Sequence, residues 1–235
     1  MPNSEPRALE IQIVRGETTT AMVYQADRST RSEARPPAAL ILAHGAGAGQ
    51  RHPFMTGFAR ALTERGLDVL TFNFLYMERR RHVPDRMPHL MACYDAVIAA
   101  AREHVPGASE RLFIGGKSMG GRAATHFAAA DSSLPVNGLV LLGYPLHPPG
   151  RPDQLRDAHL PSVGRPMLFV QGSRDTFGTP AELKPVLDRL SPAPALHVIG
   201  GGDHSFKVGG RDAKKQAAVY GDVQDTIVAW IDGVR

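Results

Sequence analysis

One serine in this chain stands in a pattern that two kinds of chemistry use. The segment FIGGKSMGGR, residues 113–122, places Gly116, Lys117 and Ser118 in a row, as at the end of a phosphate-binding P-loop. The same segment fits G-x-S-x-G, in which a serine on a sharp strand-to-helix turn attacks a carbonyl carbon. The P-loop pattern also requires a glycine where the chain has Arg111, at the start of a predicted strand. The spacing therefore excludes a P-loop and favours a nucleophilic Ser118.

A serine nucleophile needs a base that accepts its proton and an acid that orients the base. In hydrolases with this kind of turn, the acid and then the histidine follow the serine along the chain. Asp175 and His204 follow Ser118 in that order, each directly after a predicted strand. Asp203 and Glu78 are the alternative acids, but Asp203 adjoins the histidine and Glu78 precedes the serine. The sequence thus predicts Ser118, His204 and Asp175 as nucleophile, base and orienting acid.

Acyl chemistry also requires two N–H groups aimed at the oxygen that becomes negative. Met119 directly follows the serine and is expected to supply one of them. The other should come from the loop after an early strand, where the chain reads HGAGAG at 44–49. Ala46 is the best-placed donor there, and small neighbours such as Gly47 let the backbone approach a substrate. A dinucleotide-binding G-x-G-x-x-G pattern fails in this loop because its last position is Gln50.

Five other residues are candidates for substrate contact, and each has a structural alternative. His44 either anchors the glycine-rich loop by hydrogen bonds or contacts the substrate. Lys117 either packs or pairs inside the turn or attracts an acidic substrate. Arg79 and Arg80 belong either to a solvated loop or to a clamp for a carboxylate or phosphate group. His147 is either a loop or core residue or a substrate contact. The predicted partner is a small ester-type molecule, anionic if these cations bind it.

The segments around these residues alternate between strand and helix patterns, which predicts an α/β fold with a mainly parallel sheet flanked by helices. Short apolar runs predict buried strands at 39–44, 68–74, 111–116, 138–144, 166–172 and 196–201. Before them, ALEIQIV and TAMVYQ predict an antiparallel hairpin. The sequence predicts one domain over residues 1–235, with a linker-like loop at 26–37 and a cap-like insert at 145–165. Because the insert is short, we expect a minimal cap, an open cleft and small to medium-sized substrates.

The composition narrows the class of protein. With 43% hydrophobic and 21% charged residues, the chain resembles a globular protein rather than a disordered one. A net charge of +4 without a basic, aromatic-containing stripe argues against nucleic-acid binding. The single cysteine, Cys93, excludes an internal disulfide and a cysteine-based zinc site, and no histidines are spaced for a metal. We expect no cofactor, because a serine nucleophile with its base and acid needs none. We also expect no membrane association and a cytoplasmic location, since no signal-peptide or membrane-spanning pattern occurs.

The motifs taken together resemble those of a group of small α/β-hydrolases. The matching segments are HGAGAG, FNFLYMERR, GGKSMGGR, LLGYPLHPPG, FVQGSRDTFG and GGDHSF, which lie between residues 39 and 206. The group includes bacterial predicted hydrolases, testis-expressed proteins and a subunit of the chromatin-associated NSL complex, and it is distantly similar to dienelactone hydrolases. The resemblance implies the α/β-hydrolase fold and the triad Ser118, Asp175 and His204, without implying a substrate.

The residue at the nucleophile position bears on the reaction. Dienelactone hydrolases typically have cysteine there, so Ser118 favours general ester or thioester hydrolysis, with amides a less favoured substrate. Some members of the group act as subunits of complexes. A catalytically silent scaffold that binds a protein partner is therefore the alternative function.

Overall fold

The structure is a computed structural model that describes residues 5–13, 16–27, 36–131, 133–210 and 212–234. Over these residues the chain forms one eight-stranded sheet with the order β1-β2-β4-β3-β5-β6-β7-β8. The strands from β4 to β8 in this order are parallel, whereas β1 pairs antiparallel with β2 and β2 antiparallel with β4. The strands are β1 Arg7–Ile13, β2 Glu17–Tyr24, β3 Ala39–Ala43, β4 Asp68–Phe72, β5 Leu112–Lys117, β6 Gly138–Leu142, β7 Met167–Gly172 and β8 Ala195–Ile199.

Helices cover both faces of the sheet. They are α1 Pro53–Glu64, α2 Leu75–Glu78, α3 Met87–His104, α4 Pro106–Glu110, α5 Met119–Ala130, α6 Pro180–Leu187 and α7 Ala213–Gly233. One face packs against apolar residues of α3, α5 and α6, and the other packs against those of α1 and α7. The strands are apolar on both sides for this reason: Ile41 of β3 enters the first core, while its neighbours Leu40 and Leu42 enter the second.

The predicted α/β architecture is confirmed. All six apolar runs are strands of the sheet, and the two runs at the start of the chain form the predicted antiparallel hairpin. The insert at 145–165 contains a short 3-10 helix, Leu160–Ser162, and no α-helix, which agrees with the predicted minimal cap. Most of the predicted linker-like loop at 26–37, namely residues 28–35, lies outside the described residues. Of the helices described, none has both the length and the apolar character needed to cross a membrane.

The topology brings several loops to one edge of the sheet. The parallel strands β3, β5, β7 and β8 all end at this edge, and the chain leaves β3 and β5 in adjacent loops. Open α/β sheets bind their ligands outside the carboxyl ends of the strands. The residues singled out by the sequence analysis therefore follow strands that point toward a common region.

Candidate active site

Ser118 occupies a strained turn between β5 and α5. Its backbone angles are φ 51° and ψ −114°, a region that side chains disfavour because Cβ crowds the neighbouring backbone. The glycines two positions before and after the serine make the turn possible. A Cβ at Gly120 would lie 2.6 Å from the carbonyl oxygen of Ala43, and one at Gly116 would overlap that same oxygen. The turn therefore packs directly against the end of β3, and Ser118 lines the cavity beside the turn.

Three side chains form a continuous chain of hydrogen bonds at this turn. The Nδ1 atom of His204 lies 2.8 Å from Oδ2 of Asp175, and its Nε2 atom lies 2.8 Å from Oγ of Ser118. An ionised carboxylate only accepts hydrogen bonds, so the imidazole proton is assigned to Nδ1. The Nε2 atom is then free to accept the hydroxyl proton of Ser118. This geometry suits a serine whose proton passes to a neighbouring base.

Asp175 is held by donors on both of its oxygens. The residue is 1% exposed, the N–H of Phe177 donates to Oδ1 at 2.8 Å, and Gln171 Nε2 donates to Oδ2 at 2.9 Å. Gln171 is itself fixed, since it also donates to the carbonyl of Gly178 and accepts from the N–H of Tyr144. Gln171 is not among the site residues predicted from the sequence. Its signal is a single polar residue inside the otherwise apolar strand β7.

The loop that carries His204 closes on itself. Oδ1 of Asp203 accepts from the N–H groups of Ser205 at 2.8 Å and Lys207 at 2.9 Å. Phe206, with φ 62°, is completely buried and fixes the loop to the core. These contacts hold the imidazole in place and commit the Asp203 carboxylate to the loop backbone.

The acid that contacts the histidine is therefore Asp175. The other alternative, Glu78, accepts hydrogen bonds from the backbone N–H of Thr20 and from Asn73 Nδ2, on the far side of the β3 loop. Neither alternative acid has a hydrogen bond to His204, whereas Asp175 does.

The two predicted N–H donors, Ala46 and Met119, both line the cavity at Ser118. Met119 is the first residue of α5, so its N–H has no acceptor within the helix. The loop after β3 lies beside the serine, because a Cβ at Gly45 would be 3.6 Å from Cβ of Ser118. Gly47 has φ 74°, turns this loop and lines the same cavity. The arrangement has the features of an oxyanion-binding site.

His44 lies beneath this loop and not in the cavity. Its Nε2 atom accepts the N–H of Phe74 at 3.1 Å, so its Nδ1 carries the proton and donates to the Gly45 carbonyl at 2.8 Å. Burial lowers the pKa of His44 to about 4, only partly offset by the Gly45 carbonyl and Glu78, which leaves the ring neutral. Its position fits the anchoring alternative and offers no contact to a substrate.

The other predicted substrate contacts also lie away from the cavity. Arg79 forms an ion pair with Glu17 and faces a separate surface pocket. Arg80 is exposed on a left-handed turn with φ 53°. His147 lies 3.5 Å from Glu182 and faces another groove. None of these three side chains lines the cavity at Ser118. Their positions therefore give no support to the anion clamp or to a substrate contact by His147.

The cavity at Ser118 has a volume of about 1080 Å³ and a strongly cationic wall. Five of its lining residues carry a positive side chain: Arg86, Lys117, Arg122, Arg156 and Lys207. Among the residues described there, Asp85 is the one acidic side chain, and it pairs with Arg81 at 2.5 Å. Apart from Lys117, these cations were not identified from the sequence. Their charge favours a negatively charged ligand.

Lys117 is the most deeply placed of these cations. Lys117 is only 8% exposed, and its Nζ has no hydrogen-bond partner in the described part of the chain. A Cβ at Gly143 would lie 3.0 Å from this Nζ and 3.4 Å from Nδ1 of His204, so both atoms border the same small space. Burial lowers the pKa of Lys117 to about 8, against the opposing charges of Asp175 and Asp203.

This buried amine should make the stability depend on alkaline pH. The folded-state pKa of Lys117 lies below the unfolded value of 10.5, so the unfolded chain binds more protons between the two. Stability should therefore rise with pH from about 8 to 10.5, by about 3 kcal/mol for this group. The free energy of unfolding in urea, measured across this range, should rise more steeply for the wild type than for Lys117→Met. Lys207→Met, which removes an exposed lysine, is the control. Parallel curves for wild type and Lys117→Met would contradict the prediction.

Comparison with known proteins identifies the fold. A family model described as an alpha/beta hydrolase domain matches residues 36–232. Among solved structures, a serine hydrolase without a lid from Xanthomonas campestris is 22% identical over 97% of this chain and 95% of its own, with a TM-score of 0.73. A dienelactone hydrolase from Anabaena variabilis is 19% identical over 100% and 99%, with a TM-score of 0.73. An alpha-beta serine hydrolase homologue from Coxiella burnetii is 18% identical over 95% and 96%, with a TM-score of 0.71.

At these identities the structural likeness shows the fold. The predicted α/β-hydrolase fold with a minimal cap is confirmed by the family match and by these structures. The distant similarity to dienelactone hydrolases has a counterpart among them. The narrower resemblance to testis-expressed proteins and an NSL-complex subunit stays a prediction.

Proposed function

Since the chain belongs to the alpha/beta hydrolase domain family, we propose that it is a serine hydrolase that cleaves ester or thioester bonds through an acyl-enzyme on Ser118. The observation that carries this proposal is the hydrogen-bonded series from Ser118 through His204 to the buried Asp175. The loops that follow β5, β7 and β8 must lie close together for these three side chains to form the series.

The mechanism follows from the contacts of each group. His204 accepts the Ser118 proton on Nε2 as Oγ attacks the carbonyl carbon, and Asp175 stabilises the resulting imidazolium. The N–H groups of Ala46 and Met119 bind the oxyanion of the tetrahedral intermediate. The imidazolium then protonates the leaving oxygen or sulfur as its bond to carbon breaks. A water molecule, deprotonated by the same histidine, attacks the acyl carbon. The bond from this carbon to Oγ then breaks, the imidazolium returns its proton to Oγ of Ser118, and the acid product leaves.

The shape of the cavity favours small to medium-sized substrates. The 145–165 insert forms no helical cap, so the insert does not build a long apolar tunnel around an acyl chain. A volume of about 1080 Å³ is near the upper end of ordinary small-molecule sites. These two features support a substrate of small to medium size.

A fluorophosphonate probe tests the proposal without knowledge of the substrate. Intact-mass measurement should show one covalent adduct on the wild type and none on Ser118→Ala, because the probe reacts only with an activated serine. Ser205→Ala is the matched control, since Ser205 lines the same cavity and its structural contact is made by the backbone N–H. This control should label like the wild type. Absence of an adduct, when a reference esterase is labelled in the same tube, would contradict the proposal and favour the scaffold alternative.

A further inference from the structure

Two partly buried arginines on the wall of the Ser118 cavity have no carboxylate partner among the described residues. They are Arg122 and Arg156, which line the cavity together with Ser118 and His204. Other arginines of this fold pair with acids, as Arg65 does with Asp225. A guanidinium group that is partly removed from water and left without an anion is costly unless a ligand supplies one.

Arg122 is fixed close to the nucleophile by helix α5. Its N–H donates to the carbonyl of Ser118 at 3.0 Å, so the two residues are one helical turn apart on the same side of the helix. Its Nε is buried and has no hydrogen-bond partner in the described part of the chain. Burial lowers the pKa of Arg122, Tyr144 opposes this effect, and the positive charge of Arg156 lowers the pKa further.

Arg156 is brought to the same wall by the short insert. Its backbone N–H donates to the Leu146 carbonyl at 2.8 Å, and its own carbonyl accepts the hydroxyl of the buried Tyr144 at 2.8 Å. These two bonds fix the position of Arg156 in a segment without regular structure. The insert therefore places a cation at the cavity instead of covering it.

In the described part of the chain no acidic side chain forms an ion pair with either arginine, and Asp157, next to Arg156 in sequence, pairs with Arg189. His126 of α5 stacks on His159, with the two ring centroids 3.6 Å apart. Burial lowers the pKa of both to about 4, His126 adds to the effect on His159, and Arg122 adds to the effect on both, so the rings are neutral and supply no anion. Asp85, which also lines the cavity, forms an ion pair with Arg81. Two like charges held together without an anion between them indicate a binding site for one.

We propose that Arg122 and Arg156 together bind an oxyanion group of the substrate, a carboxylate or a phosphate monoester, and so select anionic esters. Guanidinium groups recognise these anions through paired N–H donors, and two of them can hold the planar or tetrahedral group from two directions. The inference rests on the proposed function for its catalytic consequence, but the anion site itself does not need the reaction.

Matched ester pairs test the selectivity. On the acyl side, 4-nitrophenyl hydrogen adipate is compared with its neutral methyl adipate analogue, and on the leaving-group side 4-acetoxybenzoate with its methyl ester. We expect the wild type to have at least about a tenfold higher kcat/KM for the anionic member of one pair. In Arg122→Gln, Arg156→Gln and the double variant this ratio should fall toward one. Arg151→Gln is the control, since Arg151 is exposed in the same insert and does not line the cavity.

Direct binding separates this inference from the proposed function. Calorimetric titration of Ser118→Ala with phenyl phosphate and with benzoate should detect binding, and adding Arg122→Gln and Arg156→Gln should abolish it. The tighter of the two anions identifies the group. If Ser118→Ala binds an anion only when both arginines are present, and the wild type hydrolyses no ester, the anion site is supported and the proposed hydrolase function is contradicted. Ester hydrolysis with equal ratios in wild type and double variant, and no anion binding, would overturn the site and leave the hydrolase standing. Thermal unfolding confirms that each variant is folded.

Discussion

Replacing His204 with alanine is expected to lower kcat about 10⁶-fold, and replacing Ser118 in addition should lower it no further. Without the imidazole, the hydroxyl that now lies 2.8 Å from Nε2 has no base to accept its proton. Without the hydroxyl, the base has no nucleophile to activate. The two side chains act as a unit, so the loss from either one is already the full loss. Single-turnover measurement of 4-nitrophenol release from the most reactive ester found gives the rates.

The control for this result is His82→Ala, which removes an exposed histidine outside the cavity. Its kcat should stay within about twofold of the wild type, as expected for a surface substitution without a role in the reaction. A double variant that is much slower than His204→Ala would show independent roles and contradict the hydrogen-bonded unit. Substantial activity of His204→Ala would show that another group serves as the base.

Replacing Asp175 with asparagine should lower kcat about 10⁴-fold while leaving the protein folded. Oδ2 of Asp175 accepts from both His204 and Gln171, and Oδ1 accepts from the N–H of Phe177. An asparagine has one amide NH₂ group, which must face either Gln171 and His204 or the Phe177 N–H. Each orientation sets a donor against a donor. In the first orientation the imidazole loses the acceptor that fixes its proton on Nδ1, and in both orientations the imidazolium loses the negative charge that stabilises it.

Asp203→Asn is the matched control for this prediction. Asp203 uses one oxygen, Oδ1, for both N–H groups of its loop, and the amide oxygen of asparagine can replace it. We expect a loss of no more than a few-fold from this variant. The ratio of kcat values for the two variants is the measurement. A larger loss from Asp203→Asn than from Asp175→Asn would show that the acid is assigned to the wrong residue.

The sequence was informative where the physical signal is local. Buried strands appear as short apolar runs, and the G-x-S-x-G turn carries its own steric requirement in Gly116 and Gly120. Chain order then pointed to Asp175 and His204, because loops that leave parallel strands meet at one edge of the sheet. The hydrogen-bonded series at Ser118 matches that expectation in position.

The cationic wall could not be predicted in the same way. Arg122 and Arg156 are far apart in sequence and share no pattern, and only the path of the 145–165 insert brings them together. Conversely, Arg79 and Arg80 follow a strand whose end belongs to the rim, which made them candidates. The direction in which they point depends on the turn after α2 and on the partner Glu17 in β2. Contacts between residues that are distant in sequence produce no periodic pattern in it, so the direction of these side chains could not be predicted.

The backbone of Ser118 links stability to chemistry. A non-glycine residue at φ 51° and ψ −114° costs of the order of 1–3 kcal/mol, and glycine would adopt the same angles with little strain. Folding alone would therefore be better served by glycine at this position, and engineering for thermostability would tend to remove the serine. A protein that acted only as a scaffold would have nothing to offset this strain. Catalysis by the hydroxyl would offset it, and a search for more stable variants at position 118 would select against activity.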